Sequence, residues 1–296
     1  MNQTWQPKSA PQSAEAKADA SNPAKQAMRA DRFTLADCLR IARRGTLVAL
    51  AMAVGVALLL PAGLLERALY GQARPWSPRI VQGFCRVTLR ILGVSRRQIG
   101  RPMAQQGAAV ANHASWFDII VLNAAARVTF FSKADVADWP LIGFVAKAAG
   151  TRFISRDARD ASTQRALLVR TLQAGHLPLF FPEGTSTDGA RVLAFKSSLF
   201  AALFQPELAP PPYVQAISVI YHAPDGAEPC FYGWYGDMDF GAHCLKLLAA
   251  PRHGAVTLVF HPPRLAALFA DRKALAHQME ETVRRGFTEH WRSVDL

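Results

Sequence analysis

The chain has 296 residues, half of them hydrophobic, with 34 Lys and Arg against 22 Asp and Glu and a formal net charge of +12. That length holds one large domain or two small ones, and the apolar share can build a sizeable core. The basic balance suits an anionic membrane, acidic ligands or nucleic acid, but zinc-finger spacing and an RNP-type aromatic block are both missing, so no nucleic-acid partner is expected.

Residues 1–30 are rich in Ala, Ser, Gln, Pro and Lys and poor in large apolar side chains. Such a segment buries too little surface to order itself and reads as a disordered tail. Residues 31–100 read as a membrane-anchoring helical segment. Within it Gly45–Leu65 holds no charged residue, and 21 helical residues span roughly 30 Å, about the thickness of a bilayer's hydrocarbon. The stretch before it, Phe33–Arg44, mixes apolar and basic residues and suits the membrane interface. Pro78–Val94 has apolar residues at helical spacing, interrupted by Arg79, Arg86 and Arg90; it reads as an amphipathic interfacial helix or a core helix. Positive charge on both flanks of the uncharged run gives no orientation. Monotopic insertion from the cytoplasmic face reconciles the two flanks, and a single span is the alternative.

Residues 101–296 alternate. Apolar β-type runs at Ala108–Ala111, Val128–Ser132, Thr151–Ser155, Leu177–Phe181, Val214–Tyr221 and Val256–Phe260 are separated by helical stretches at Ser115–Ala125, Trp139–Ala149, Ser162–Ala174, Phe195–Phe204 and Arg272–Trp291. The pattern predicts an α/β sandwich, a central mixed sheet flanked by helices and preceded by the membrane-inserted element.

The segment Asn112-His113-Ala114-Ser115-Trp116-Phe117-Asp118 follows the first of these strands. A spacing of five does not align His113 and Asp118 on one helix face; it suits a strand-to-helix corner, with the carboxylate reaching back to the imidazole. A carboxylate on one ring nitrogen fixes the tautomer and frees the other nitrogen to take a proton. The competing reading makes Asp118 a solvated first-turn acid. Ser115 reads as a helix N-cap rather than a nucleophile, and no G-x-S-x-G elbow is present. Cys38, Cys85, Cys230 and Cys244 form no C-x-x-C pair and show no metal-ligand spacing, so no metal or cofactor is expected; the cysteine usage fits a reducing cytosol.

Two further blocks follow in order, Gly150-Thr151-Arg152-Phe153-Ile154-Ser155-Arg156 and Phe181-Pro182-Glu183-Gly184-Thr185-Ser186. With the His113 block they resemble the glycerolipid acyltransferase family, which includes the PlsC-like lysophosphatidic acid acyltransferases, over about Ala108 to Tyr221. The resemblance implies a membrane-bound enzyme at the inner (cytoplasmic) membrane, its catalytic domain on the cytoplasmic side. It would move an acyl group from an acyl-ACP or acyl-CoA thioester to the hydroxyl of a lysolipid, with His113 as base and Asp118 as its orienter. It also implies that Arg156 binds the head-group phosphate and that Glu183, Gly184 and Thr185 belong to the acceptor site. For Arg156 a surface salt bridge with Asp157 or Asp160 is the competing reading; for Lys133 and Lys196, two further phosphate candidates, it is a solvated lysine.

The first expectation for the acceptor is 1-acyl-glycerol-3-phosphate, giving phosphatidic acid. Two departures favour an alternative. Relatives acting on lysophosphatidic acid commonly carry Arg where this chain has Ser186, and the fourth block, Val214-Gln215-Ala216-Ile217, lacks its usual proline. The E-G-T-S-x-D-G form, with Trp234-Tyr235-Gly236-Asp237-Met238, looks more like the lyso-ornithine lipid acyltransferase branch. Outside the class, a non-catalytic lipid-binding membrane protein and a lipid hydrolase are the competing readings.

Overall fold

The computed structural model describes residues 33–71, 73–133, 142–154 and 161–291; the expected tail and Arg156 lie outside them. Thr34 opens helix α1 (Leu35–Tyr70) with a capping box: its hydroxyl accepts from Asp37 N, and the Asp37 carboxylate accepts from Thr34 N. The sequence suggested an interfacial stretch and then an uncharged helix. The structure instead has one helix of 36 residues, about 54 Å long. It continues past Leu65 because Glu66 is only 1% exposed and accepts from Trp76 N, Ser77 N and the Ser77 hydroxyl. Those are the donors left unpaired at the start of helix α2 (Ser77–Leu92). α2 turns back along α1, so that Gly55 meets Phe84. Its inner face, Val81, Cys85, Leu89 and Leu92, is buried in the core.

Strand β1 (Ser95–Ile99) follows. It lies inside the segment read as membrane anchor, yet it pairs with the sheet, so the sheet begins before residue 101. Its sequence, S-R-R-Q-I, is mostly exposed, as an edge strand allows. The remaining strands are β2 (Gly107–Ala111), β3 (Thr129–Lys133), β4 (Arg152–Ile154), β5 (Pro178–Phe180), β6 (Tyr213–His222), β7 (Ala255–Phe260) and β8 (Arg264–Leu265). Between them run helices α3 (Asp118–Ala125), α4 (Ile142–Ala149), α5 (Ala161–Gln173), α6 (Phe240–Ala249) and α7 (Arg272–Trp291). The sheet order is β1-β7-β6-β2-β5-β3-β4, with β8 paired to β6. β2 to β6 are mutually parallel along this order, whereas β7 runs antiparallel to β6. The sheet is therefore mixed, as expected, with cores on both faces.

The segment expected as a helix at Phe195–Phe204 is a 3-10 turn over Leu199–Phe204, and α6 was not expected at all. At the end of α6, Arg40 donates to Ala249 O at 2.7 Å and Arg44 to Leu248 O at 3.0 Å and Ala250 O at 2.5 Å. These carbonyls lack helical partners, and two arginines of α1 supply them. The long helix is thus tied to the α/β body near both its ends. Between the ties Leu47, Leu50, Val54, Leu58, Leu60, Leu64 and Leu65 stand exposed. An apolar helix left uncovered in this way belongs to a membrane protein.

Candidate active site

The parallel register assembles the site. Val110 of β2 sits opposite Phe180 of β5, so three residues further on His113 and Glu183 leave the same edge of the sheet. Phe130 of β3 pairs with Leu179, which brings Lys133 to that edge as well, and Lys133 pairs with Ile154 of β4. The sequence blocks therefore meet at the carboxyl ends of parallel strands, the usual place for ligands in such sheets.

At the end of β2, Asn112 bonds Val219 of β6 twice, at 2.9 Å to its carbonyl and at 2.8 Å from its amide. The side chain replaces the ladder that the backbone leaves as it turns into the corner. His113 Nδ1 lies 2.7 Å from Asp118 Oδ2. The same oxygen accepts from Ala114 N at 2.8 Å and Ser115 N at 3.1 Å, and Oδ1 accepts from the Tyr221 hydroxyl at 2.6 Å. Asp118 is fully buried, and the His113 side chain is 20% exposed. Four donors converge on this buried carboxylate and hold it in place. Tyr221 stays a donor, because burial, and then the Asp118 charge, push its hydroxyl well above its ordinary value. With Nδ1 engaged, Nε2 is the nitrogen free to accept a proton.

Ser115 does not cap α3, whose N-cap is Phe117. Its hydroxyl accepts from Phe117 N at 3.3 Å, while Asp118 reaches back to the amides of Ala114 and Ser115 in the loop before the helix. Trp116 projects from the same loop and donates its indole N–H to Nδ1 of His243 on α6 at 2.9 Å. Burial, then the charge of Lys246, hold His243 down at about 4, so it is the neutral acceptor this bond requires.

Phe181 stacks on the His113 ring, with centroids 4.0 Å apart and planes 11° from parallel. Glu183 is only 3% exposed. One of its oxygens accepts from His113 N at 3.0 Å, and the other has no hydrogen-bond partner. Burial is the main cause that pushes this carboxyl up to about 8. Its side chain thus faces the backbone of the His113 loop rather than solvent. Gly184 has φ +75, a left-handed turn that suits glycine. Thr185 is exposed. The following loop returns behind the histidine, with Thr187 N donating to His113 O at 2.9 Å. Arg152 sits on edge strand β4 with Nε lacking a hydrogen-bond partner.

A carboxylate-oriented imidazole at a strand-to-helix corner, clamped by an F-P-E-G turn at the neighbouring strand end, is an arrangement chemically able to act as a general base. A family model described as Acyltransferase matches residues 96–220. The chain is 48% identical over 259 residues to a lyso-ornithine lipid O-acyltransferase of Rhodobacter capsulatus, spanning 88% of this chain and 94% of that protein. It is 32% identical over 194 residues to a 1-acyl-sn-glycerol-3-phosphate acyltransferase of Neisseria gonorrhoeae, spanning 63% and 72%. The fold matches the crystal structure of PlsC from Thermotoga maritima with a TM-score of 0.62 at 18% identity, over 86% of this chain and 97% of that one. The chain belongs to the PlsC-like acyltransferases and is a lysolipid acyltransferase of lipid biosynthesis. Of the two acceptors weighed from the sequence, the more similar relative favours lyso-ornithine lipid over the first-named 1-acyl-glycerol-3-phosphate.

Proposed function

We propose that the protein transfers a fatty acyl group from an acyl carrier thioester to the hydroxyl of lyso-ornithine lipid. His113 Nε2 takes the hydroxyl proton as the oxygen attacks the thioester carbonyl. The C–O bond forms, the C–S bond breaks as the tetrahedral intermediate collapses, and the imidazolium returns its proton to the leaving thiolate. Asp118 stabilises the imidazolium through the 2.7 Å contact. Glu183 holds the His113 loop through the backbone amide.

The observation that carries the choice of acceptor is the loop behind the histidine. Thr187 is bonded to His113 O, so its neighbours Ser186 and Asp188 lie on a loop tied to the His113 backbone. Ser186 brings no positive charge, and the Asp188 carboxylate takes up the nearby Arg191 guanidinium at 3.3 Å. Such a loop is poorly suited to a phosphate dianion and tolerates an amino-acid head group, which carries both a carboxylate and an ammonium. Arg156 and Lys133 remain proposed contacts for the head group's anionic part, with Gly184 and Thr185 at its margin. The donor is acyl-ACP or acyl-CoA.

The exposed face of α1 supports monotopic insertion at the cytoplasmic membrane with the catalytic domain on the cytoplasmic side, where such thioesters are made. A helix tied near both ends to one α/β body cannot place those ends in opposite aqueous phases unless the body enters the bilayer too.

The test incubates detergent-purified protein with a labelled acyl thioester and either lyso-ornithine lipid or lysophosphatidic acid. Diacylated ornithine lipid as the preferred product is expected. Preferred formation of phosphatidic acid would return the acceptor to the glycerophosphate reading, and free fatty acid alone would indicate hydrolysis.

A further inference from the structure

Lys196 lies 13 residues beyond Glu183 in the chain, yet the fold brings it back onto the same turn. Its backbone N–H donates to Pro182 O at 2.9 Å. The neighbouring Phe195 N–H donates to Glu280 of α7 at 2.8 Å, so the segment is held from two sides. The side chain, though exposed, lies across the α-carbon of Gly184. A Cβ built on that glycine would stand 2.8 Å from the ammonium nitrogen and 3.4 Å from Cδ and Cε. Glycine at 184 answers the left-handed backbone, and the flexible end of the lysine occupies the space beside its bare α-carbon.

The ammonium is exposed and, among the described residues, takes no hydrogen bond or ion pair. Glu183, the acid next to it in the chain, is turned the other way, toward His113 N. Asp188 is engaged by Arg191 at 3.3 Å and by Ala190 N at 3.0 Å. A positive charge held by a packed stem, beside the clamp on the base and left unpaired, is a cation available to a ligand. At position 186, in the same loop, the chain offers a serine.

The geometry points to Lys196 as the cation that binds the anionic group of the acceptor's head, a carboxylate or a phosphate oxyanion, and so holds the lysolipid hydroxyl near His113. This rests on the acyl-transfer reading of the site and not on which of the two head groups is the natural one. A lysine suits the task as a compact, mobile point charge that does not impose bidentate geometry.

The test compares wild type with Lys196→Met and Lys196→Arg in detergent micelles. Equilibrium binding of lyso-ornithine lipid, lysophosphatidic acid and uncharged monoacylglycerol is followed by tryptophan fluorescence, and KM is measured for acceptor and donor. Lys196→Met is expected to weaken binding of the two charged lysolipids on the order of tenfold or more. Monoacylglycerol binding and donor KM should stay unchanged, and added salt should no longer raise the acceptor KM. Lys196→Arg is expected to recover most of the loss. Whichever charged lysolipid loses more affinity identifies the anion that Lys196 meets. Charged-lysolipid affinity within twofold of wild type in Lys196→Met, or an equal loss for monoacylglycerol, would overturn the assignment. The binding readout stands even where wild type turns over neither acceptor, an outcome that would sink the proposed activity alone. Should Lys196→Met not fold, Lys196→Gln carries the same comparison.

Discussion

Replacing Asp118 by asparagine isolates the charge at the centre of the site. An asparagine oxygen in the place of Oδ2 keeps the three N–H donors now at 2.7, 2.8 and 3.1 Å. Its amide group then meets Tyr221, whose hydroxyl can accept as well as donate. The corner and the histidine tautomer survive, and only the stabilisation of the imidazolium is lost. Two charges at about 4 Å in an effective dielectric of about 20 attract by about 4 kcal/mol, and a charged hydrogen bond carries about 1.5–3 kcal/mol. A loss of about 2–4 kcal/mol lowers kcat about 30- to 900-fold. His113→Ala should cost as much or more, because the carboxylate acts through the ring. The assay is acyl transfer at saturating acceptor and donor, with near-ultraviolet circular dichroism to confirm the fold. A folded Asp118→Asn enzyme within threefold of wild-type kcat would refute the reasoning and leave Asp118 as a structural anchor of the loop.

Glu183 gives a pH test. Its carboxyl is pushed up to about 8 from an ordinary 4.5, so between those values the folded protein keeps a proton that the unfolded chain has lost. Stability therefore falls as pH rises through that window. Glu183→Gln keeps an oxygen for His113 N without this burden, so its Tm advantage should widen from pH 5 to pH 8; parallel Tm curves would contradict it. The exposed leucines of α1 predict release from membranes by detergent and not by high salt, because salt does not screen apolar burial; quantitative extraction by salt alone would place that face against protein. Ser186→Arg adds a phosphate partner to the loop behind His113 and should move the ratio of kcat/KM values toward lysophosphatidic acid over lyso-ornithine lipid. An unchanged ratio would remove that loop from head-group recognition.

What could be read in advance follows the range of the interactions. The strands β2 to β7 and the His113–Asp118 corner are local: apolar runs of strand length, and two polar residues five apart at a strand end. What could not be read is what the sheet brings from afar. Tyr221 reaches Asp118 across 103 positions, Glu183 reaches His113 N across 70, and His243 reaches Trp116 across 127. No spacing rule links such residues, since their proximity exists only once β2, β5 and β6 are in register. β1 escaped notice because an edge strand with exposed arginines lacks the apolar alternation that marks a half-buried one. The charges of α1 misled in a related way. Arg40, Arg44 and Glu66 look like the limits of a lipid-embedded run, and each instead satisfies backbone groups at another helix end. Glu183 shows the same principle inside the site. Its motif implied contact with the acceptor, whereas the side chain is buried against the His113 backbone. A carboxyl there fixes the backbone amide of His113 at 3.0 Å, a contact between two strand ends that the motif alone does not reveal.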